Sequence, residues 1–157
     1  MFDANIKQTE PTTVAFLSMR GPYSQIPEGY GHLYGWVASH ALTPTGMPSA
    51  IYLTSPDDVP DEDAVWELWA PLAGQPELLE PDEDGIGVRH IPKKTVASAM
   101  YKGPYEEIGA TYEALTKWVE GHDYSIVGPP EEVYFSDPEE VPRSEYLTEV
   151  RFPVTKR

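Results

Sequence analysis

The 157-residue sequence contains no cysteine. Disulfide bonds, thiolate metal sites and a cysteine nucleophile are therefore excluded, and the lack of cysteine fits the cytoplasm without proving it. No apolar run approaches the ~20 residues that span a bilayer, and the N-terminus lacks the basic-then-apolar order of a secretory signal. We therefore expect a cytoplasmic protein that does not enter a membrane.

Positive charge is also scarce. The 11 Lys and Arg residues face 26 Asp and Glu residues, which gives a formal net charge of −15. This charge repels phosphate backbones, so direct binding of nucleic acid is not expected, whereas cations are attracted. An ordinary solvated acidic surface explains the same charge. Aromatic residues are plentiful, with 10 Tyr, 4 Trp and 4 Phe, and indicate a folded globular chain.

The most informative pattern is an internal repeat. The segment RGPYSQI around Tyr23 returns as KGPYEEI around Tyr105, 82 residues later. At this single offset, 20 of 60 positions are identical between residues 13–72 and 95–154, and several of them are Trp, Tyr, Gly or Pro. The pattern predicts one domain, residues 1–157, made of two repeats, about 3–72 and 85–154, and an exposed acidic, Pro-containing linker, 73–84.

Each repeat reads as strand, helix, strand, strand, with a smaller extended piece in front. The helix of the second repeat has an apolar face formed by Ile108, Tyr112, Leu115 and Val119, Pro104 suits its first turn, and Gly121 suits its C-terminal cap. The predicted fold class is α+β, a duplicated module with an antiparallel sheet and one long helix per module. In the first repeat, the helix contains three interior glycines, which indicate either a close backbone contact or a weak helix held by packing: Gly29, Gly31 and Gly35.

Alternation along the strands predicts which side chains face away from the helix. In the last strand of each repeat, Trp66 and Leu68, or Val150 and Phe152, suit packing under the helix, which leaves the two glutamates of the repeat on the opposite face. These are Glu67, which shares its face with Trp69, and Glu149. We expect the preceding strands to add three residues to that face: Tyr52, Tyr134 and Glu132.

A sheet covered by one helix leaves a bare face, so we expect the two modules to meet there and to hold a site between them. A partly desolvated carboxylate among aromatic rings would favour flat or lipophilic cations. The alternative is that Glu67 and Glu149 are ordinary solvent-facing residues of a strand.

Three motifs together carry a resemblance to a known family: the doubled Gly-Pro-Tyr corner, GPPEEVYFSDPEEVP and YLTEVRFPV. The chain resembles, over nearly its whole length, the gyrase-inhibitor-like small-molecule-binding superfamily, which includes effector-binding domains of multidrug-sensing transcription regulators. The resemblance implies pseudo-two-fold symmetry and a central cavity for hydrophobic, often cationic or aromatic compounds. The residues it and the strand pattern nominate for ligand binding are Glu149, Glu67, Tyr134, Tyr52, Trp69, Glu132 and Tyr112.

Stand-alone members of the superfamily imply three functions: sequestration of drugs or toxins, modulation of DNA gyrase, and hydrolysis of cyclopropane-bearing genotoxins. We favour binding, with a small molecule as partner and DNA gyrase as a further candidate partner. Hydrolysis would need a carboxylate with a raised pKa, and Glu149 is the catalytic candidate only in that case. A helix-turn-helix domain, as in the regulators, is not expected in this chain.

No cofactor or metal is expected. The four histidines lack metal-ligand spacing, and two of them, His40 and His122, fall at helix C-termini, where an imidazole can interact with terminal carbonyls.

Overall fold

The computed structural model describes residues 3–55, 58–136 and 140–157. Nine strands and two α-helices form in the described residues, and the paired strands are antiparallel, which confirms the α+β class. The elements are β1 (Ala4–Gln8), β2 (Thr12–Arg20), α1 (Ile26–Ser39), β3 (Ser49–Tyr52), β4 (Val65–Leu72), β5 (Ile86–Ile91), β6 (Thr95–Lys102), α2 (Gly109–Gly121), β7 (Tyr124–Ile126), β8 (Glu131–Tyr134) and β9 (Leu147–Lys156).

The bounds of these elements follow the 82-residue offset of the sequence repeat. Strand β8 begins and ends 82 residues after β3, and the 3-10 turn Tyr105–Glu107 stands in the same relation to Tyr23–Gln25. The predicted order of strand, helix, strand, strand appears as β2-α1-β3-β4 and again as β6-α2-β8-β9.

The chain divides into two compact units that do not coincide with the sequence repeats. The central unit is Glu10–Pro92, with strand order β3-β4-β2-β5. The terminal unit combines Lys93–Arg157 with the described residues before Glu10, and its strand order is β1-β6-β9-β8, with β7 also on β9. Strand β1 thus pairs with β6 and β5 pairs with β2, so each repeat contributes its first strand to the unit built mainly by the other repeat.

Each unit has a helix face, which the α-helix covers, and an open face on the other side of the strands. On the helix face of the terminal unit, Leu115 and Val119 of α2 pack against β6 and β9, including Val150 and Phe152. In the central unit, α1 buries Leu33, Trp36 and Val37. The open face of the central unit carries a small apolar cluster: Val14, Phe16, Ile51 and Trp69.

The three glycines of α1 have different surroundings. A methyl group added to Gly29 would lie 2.6 Å from Met19 Sδ and 2.7 Å from Leu68 Cδ1, whereas one added to Gly31 or Gly35 would meet nothing within 4 Å. Close packing therefore explains Gly29. The other two glycines sit in a helix that tertiary packing holds.

The Gly-Pro-Tyr corner differs from the predicted start of the helix. Pro104 is extended, with ψ 146°, and precedes the 3-10 turn Tyr105–Glu107, so its assignment to the first helical turn is wrong. Its neighbour Gly103 has φ 142°, a value that favours glycine. The corner is therefore a strand, a sharp glycine turn and a 3-10 turn, after which α2 begins at Gly109.

The helix C-termini confirm the role predicted for two histidines. His40 Nδ1 lies 2.9 Å from the Trp36 carbonyl oxygen, and His122 Nδ1 lies 2.7 Å from that of Trp118. Each imidazole also stacks on the same tryptophan, with ring centroids 3.9 and 4.0 Å apart. The cap of α2 is His122 rather than Gly121, which is still helical.

The linker 73–84 is partly docked on the central unit. Leu79 forms an isolated bridge with Val88 of β5, and the Trp36 indole donates a 2.8 Å hydrogen bond to Asp82 Oδ2. This hydrogen bond is the main cause that lowers the pKa of Asp82. In the part of the chain that the structure describes, no helix is long and apolar enough to cross a membrane.

Candidate ligand-binding site

The two repeat-related glutamates lie on the open faces, as the alternation predicts. Glu149 of β9 pairs with Met100 and Val133, while the next residue, Val150, belongs to the core under α2. Glu67 of β4 pairs with Ser18 and Ile51. Because directly opposed residues of an antiparallel pair share a face, these partners place both carboxylates away from the helices.

The preceding strands are the reverse of the prediction. Tyr52 pairs with Trp66, Tyr134 with Thr148 and Glu132 with Val150, so these three residues are on the helix faces. Their assignment to the face of Glu67 and Glu149 is wrong. The sequence pattern fixes alternation within a strand, but the register between two strands decides which alternate residues share a face.

Glu149 is held by three side chains of its own unit. It is 2% exposed, and its Oε2 lies 2.5 Å from Lys7 Nζ and 3.0 Å from Arg151 Nε. Ser98 Oγ donates a 2.6 Å hydrogen bond to Oε2, and Arg151 Nη2 donates one of 3.1 Å to Oε1. Burial alone would raise the pKa, but these hydrogen bonds and the charge of Arg151 outweigh it and lower the pKa of Glu149 to about 2. Glu149 therefore does not meet the requirement of a raised pKa for hydrolysis.

Glu67 has an equivalent setting in the central unit. Its Oε1 lies 2.7 Å from Arg89 Nη2 and accepts a 2.7 Å hydrogen bond from Trp69 Nε1, and Ser18 Oγ donates to Oε2 at 3.3 Å. The Arg89 guanidinium also lies 3.8 Å from the centroid of the Phe16 ring. Both carboxylates on the open faces thus have a cation of the protein as partner.

The sequence analysis missed these cations, although a signal was present. Lys7 and Arg89 are 82 residues apart, the same offset as Glu67 and Glu149. They lie on β1 and β5, the strands that each repeat contributes to the other unit.

A different arrangement surrounds Glu132, on the helix face of the terminal unit. Glu132 is 7% exposed, and its two carboxylate oxygens accept hydrogen bonds from Tyr112 Oη at 2.5 Å and Tyr134 Oη at 2.9 Å. Tyr105 packs edge-on against Tyr134, with ring centroids 5.6 Å apart. Burial, followed by the charges of Tyr146 and Glu132, raises the pKa of Tyr105. We call Glu132, Tyr105, Tyr112 and Tyr134 the acidic tyrosine cluster.

The central unit repeats the tyrosines of this cluster without its carboxylate. At the offset of 82 residues, the three tyrosines correspond to Tyr23, Tyr30 and Tyr52, and Glu132 corresponds to Ala50. Tyr23 and Tyr52 keep the edge-on contact at 5.3 Å, while Tyr30 Oη donates to the backbone oxygen of Ser49. The acidic tyrosine cluster therefore distinguishes the terminal unit.

The histidines form no metal site within residues 3–55, 58–136 and 140–157, where no group of three or more His, Cys, Asp and Glu side chains is arranged to hold an ion.

Two solved structures show that the fold is that of a ligand-binding α+β domain. The C-terminal domain of EcmrR matches with a TM-score of 0.83 and 22% identity, covering 100% of this chain and 99% of that one. EcmrR in a complex with DNA matches at 0.85 and 22%, covering 99% of this chain, which spans 58% of the EcmrR chain. A hydrolase from Listeria innocua matches at 0.69 and 14%, covering 97% and 91%.

The chain itself belongs to the GyrI-like small molecule binding domain family, which it matches over residues 3–155. This assignment confirms the resemblance drawn from the sequence motifs. No curated protein matches the chain.

Proposed function

We propose that this small-molecule-binding domain takes hydrophobic, cationic aromatic compounds, and that the acidic tyrosine cluster is their anchor. The observation that carries the proposal is the setting of Glu132, a buried carboxylate that accepts hydrogen bonds from two tyrosines, one of which packs against a third ring. The physiological role would be sequestration or sensing of drugs or toxins in the cytoplasm.

A carboxylate in this setting favours a cation with apolar groups. The low dielectric strengthens its attraction for positive charge, while hard, strongly hydrated ions lose their water at high cost. Each tyrosine ring within about 6 Å of the cation contributes roughly 0.5–2 kcal/mol. Lipophilic cations with delocalised charge satisfy both conditions.

The glutamates of the open faces suit a different role. A cation at Glu149 would compete with Lys7 and Arg151, and one at Glu67 would compete with Arg89. We therefore assign Glu149 and Glu67 to ion pairs that stabilise their units, with Trp69 as a hydrogen-bond donor to Glu67. Tyr52, in a cluster that lacks the carboxylate, would contribute apolar contact at most.

Tetraphenylphosphonium and tetraphenylborate test the proposal, because they share a shape and carry opposite charges. The first is the ligand named for SAV2435, a structure with the same fold at a TM-score of 0.60 and 13% identity. We expect the phosphonium to bind in isothermal titration and to raise the melting temperature, by about 2.7 kcal/mol of stability at a concentration of 100 Kd. Equal binding of the two ions would contradict the proposal.

A matched pair of variants assigns the site. Glu132→Gln keeps the shape and removes the charge, and it should weaken phosphonium binding by about tenfold or more, a loss of at least ~1.4 kcal/mol. Glu113→Gln, on the exposed side of α2, removes the same charge from the chain and should change the Kd little. If the two variants lose affinity equally, the overall charge of −15 attracts the ion and Glu132 is not its anchor.

The other two functions implied by the family stay predictions. Hydrolysis of a cyclopropanoid would require a base other than Glu149, whose pKa of about 2 makes it a weak proton acceptor. Association with DNA gyrase rests on the acidic composition alone, and a salt-sensitive co-purification would test it.

A further inference from the structure

A second group of buried charges lies on the open face of the terminal unit. Glu131 of β8 pairs directly with Arg151 of β9, and Glu131 is 5% exposed. The distance from Glu131 Oε1 to Arg151 Nη1 is 3.8 Å, and to Lys94 Nζ it is 3.6 Å. These are ion-pair distances, too long for hydrogen bonds.

Two atoms of this pair have unmet hydrogen-bonding capacity. Four buried side-chain polar atoms in the described parts of the chain have no hydrogen-bond partner, and two of these are Glu131 Oε1 and Arg151 Nε. The first is an acceptor without a donor, and the second is a donor without an acceptor. Folded proteins rarely leave such atoms unsatisfied, and bound water or a ligand usually completes them.

The central unit shows that the fold does not require this pair. The residues 82 positions earlier are Ser49 and Trp69, which also pair directly across their strands. There Trp69 donates its indole N–H to Glu67, in the place where Arg151 donates to Glu149. Buried ion pairs often stabilise a protein no better than apolar residues of similar volume. The charged pair of the terminal unit therefore calls for a reason other than folding.

We propose that Glu131 and Arg151 bind a primary amide group of a small molecule. The amide N–H donates to Glu131 Oε1, and the amide carbonyl accepts from Arg151 Nε, so one group satisfies both atoms. A neutral group is favoured because Glu131 repels an anion, while Arg151 and Lys94 repel a cation. This site is separate from the acidic tyrosine cluster, since Glu131 and Glu132 alternate between the two faces of β8.

Benzamide and N,N-dimethylbenzamide are the matched probes. Both have the ring and the carbonyl, but only benzamide can donate an amide N–H. We expect saturable benzamide binding at millimolar concentration in ligand-observed NMR, and dimethylbenzamide binding at least about tenfold weaker. Equal binding of both probes, or no benzamide binding up to its solubility, would overturn the proposal. Either failure leaves the phosphonium experiment unaffected, because that cation has no amide.

The double variant Glu131→Ser, Arg151→Trp copies the arrangement of the central unit and identifies the residues. Glu149 would keep Lys7 and Ser98, as Glu67 keeps Arg89 and Ser18. We expect a folded protein with an unchanged or higher urea midpoint that has lost the preference for benzamide. Glu131→Gln is the second variant, and it should weaken benzamide binding while retaining the fold. Wild-type benzamide affinity in both variants would refute the assignment.

Discussion

Replacing Glu149 by glutamine separates a structural carboxylate from a ligand-binding one. In the folded chain, Lys7, Arg151 and Ser98 hold the ionised form of Glu149, whose pKa is about 2 against an ordinary value of 4.5. Because the folded state has the lower pKa, ionised Glu149 stabilises the fold above pH 4.5, and this contribution disappears as the pH falls toward 2.

The size of the effect follows from the difference in pKa. At about 1.4 kcal/mol for each tenfold change in the ionisation constant, the difference between 4.5 and about 2 corresponds to roughly 3 kcal/mol. Solvent screening of the half-exposed Lys7 reduces the expected effect to about 2 kcal/mol. The glutamine variant lacks this ionisation, whereas the other carboxylates titrate in both proteins.

The assay is urea unfolding of both proteins at several values of pH between 6 and 2.5. We expect the free-energy advantage of the wild type over Glu149→Gln to shrink by about 2 kcal/mol over this range. Parallel curves would refute the reasoning, because they would mean that Glu149 has the same pKa in the folded and unfolded chains.

Three further predictions concern the fold. Gly31→Ala and Gly35→Ala should each raise the free energy of unfolding by up to ~1 kcal/mol, whereas Gly29→Ala should lower it by about 1–3 kcal/mol through overlap with the sheet; urea unfolding measures both. Removal of residues 1–8 should lower hydrogen-exchange protection in β6 and β9 more than in β2, and the reverse order would refute the pairing of β1. His122→Ala should lower the thermal midpoint by a few degrees through loss of the α2 cap, and an unchanged midpoint would contradict this role.

The periodic elements of the fold could be predicted from sequence. The helical spacing of Ile108, Tyr112, Leu115 and Val119 and the alternation around Val150 reflect burial, which leaves a direct signal in residue order. The repeat then transferred each assignment from one half of the chain to the other.

Long-range pairing could not be predicted in the same way. Nothing in the local pattern of residues 4–8 says that they pair with β6, or that β5 pairs with β2, because strand pairing depends on contacts far apart in the chain. The faces of Tyr52, Tyr134 and Glu132 were wrong for the same reason, since register is set by the turns and by tertiary packing.

The candidate site was therefore predicted in its residue types more than in its grouping. Glu149 and Glu67 were placed on the correct faces, but their cations, Lys7 and Arg89, come from the strands whose pairing was unknown. Glu132 and Tyr112 were named as candidates, and the structure brings them together with Tyr134 on the helix face.

The measurement that tests the central claim most directly is the position of a bound lipophilic cation. Tetraphenylarsonium has the shape and charge of tetraphenylphosphonium, and its arsenic atom gives an anomalous signal in a crystal soaked with it. The account predicts an arsenic peak beside Glu132, within about 6 Å of at least one ring of the acidic tyrosine cluster. A peak beside Glu149 or Glu67, with Lys7 or Arg89 displaced, would contradict it.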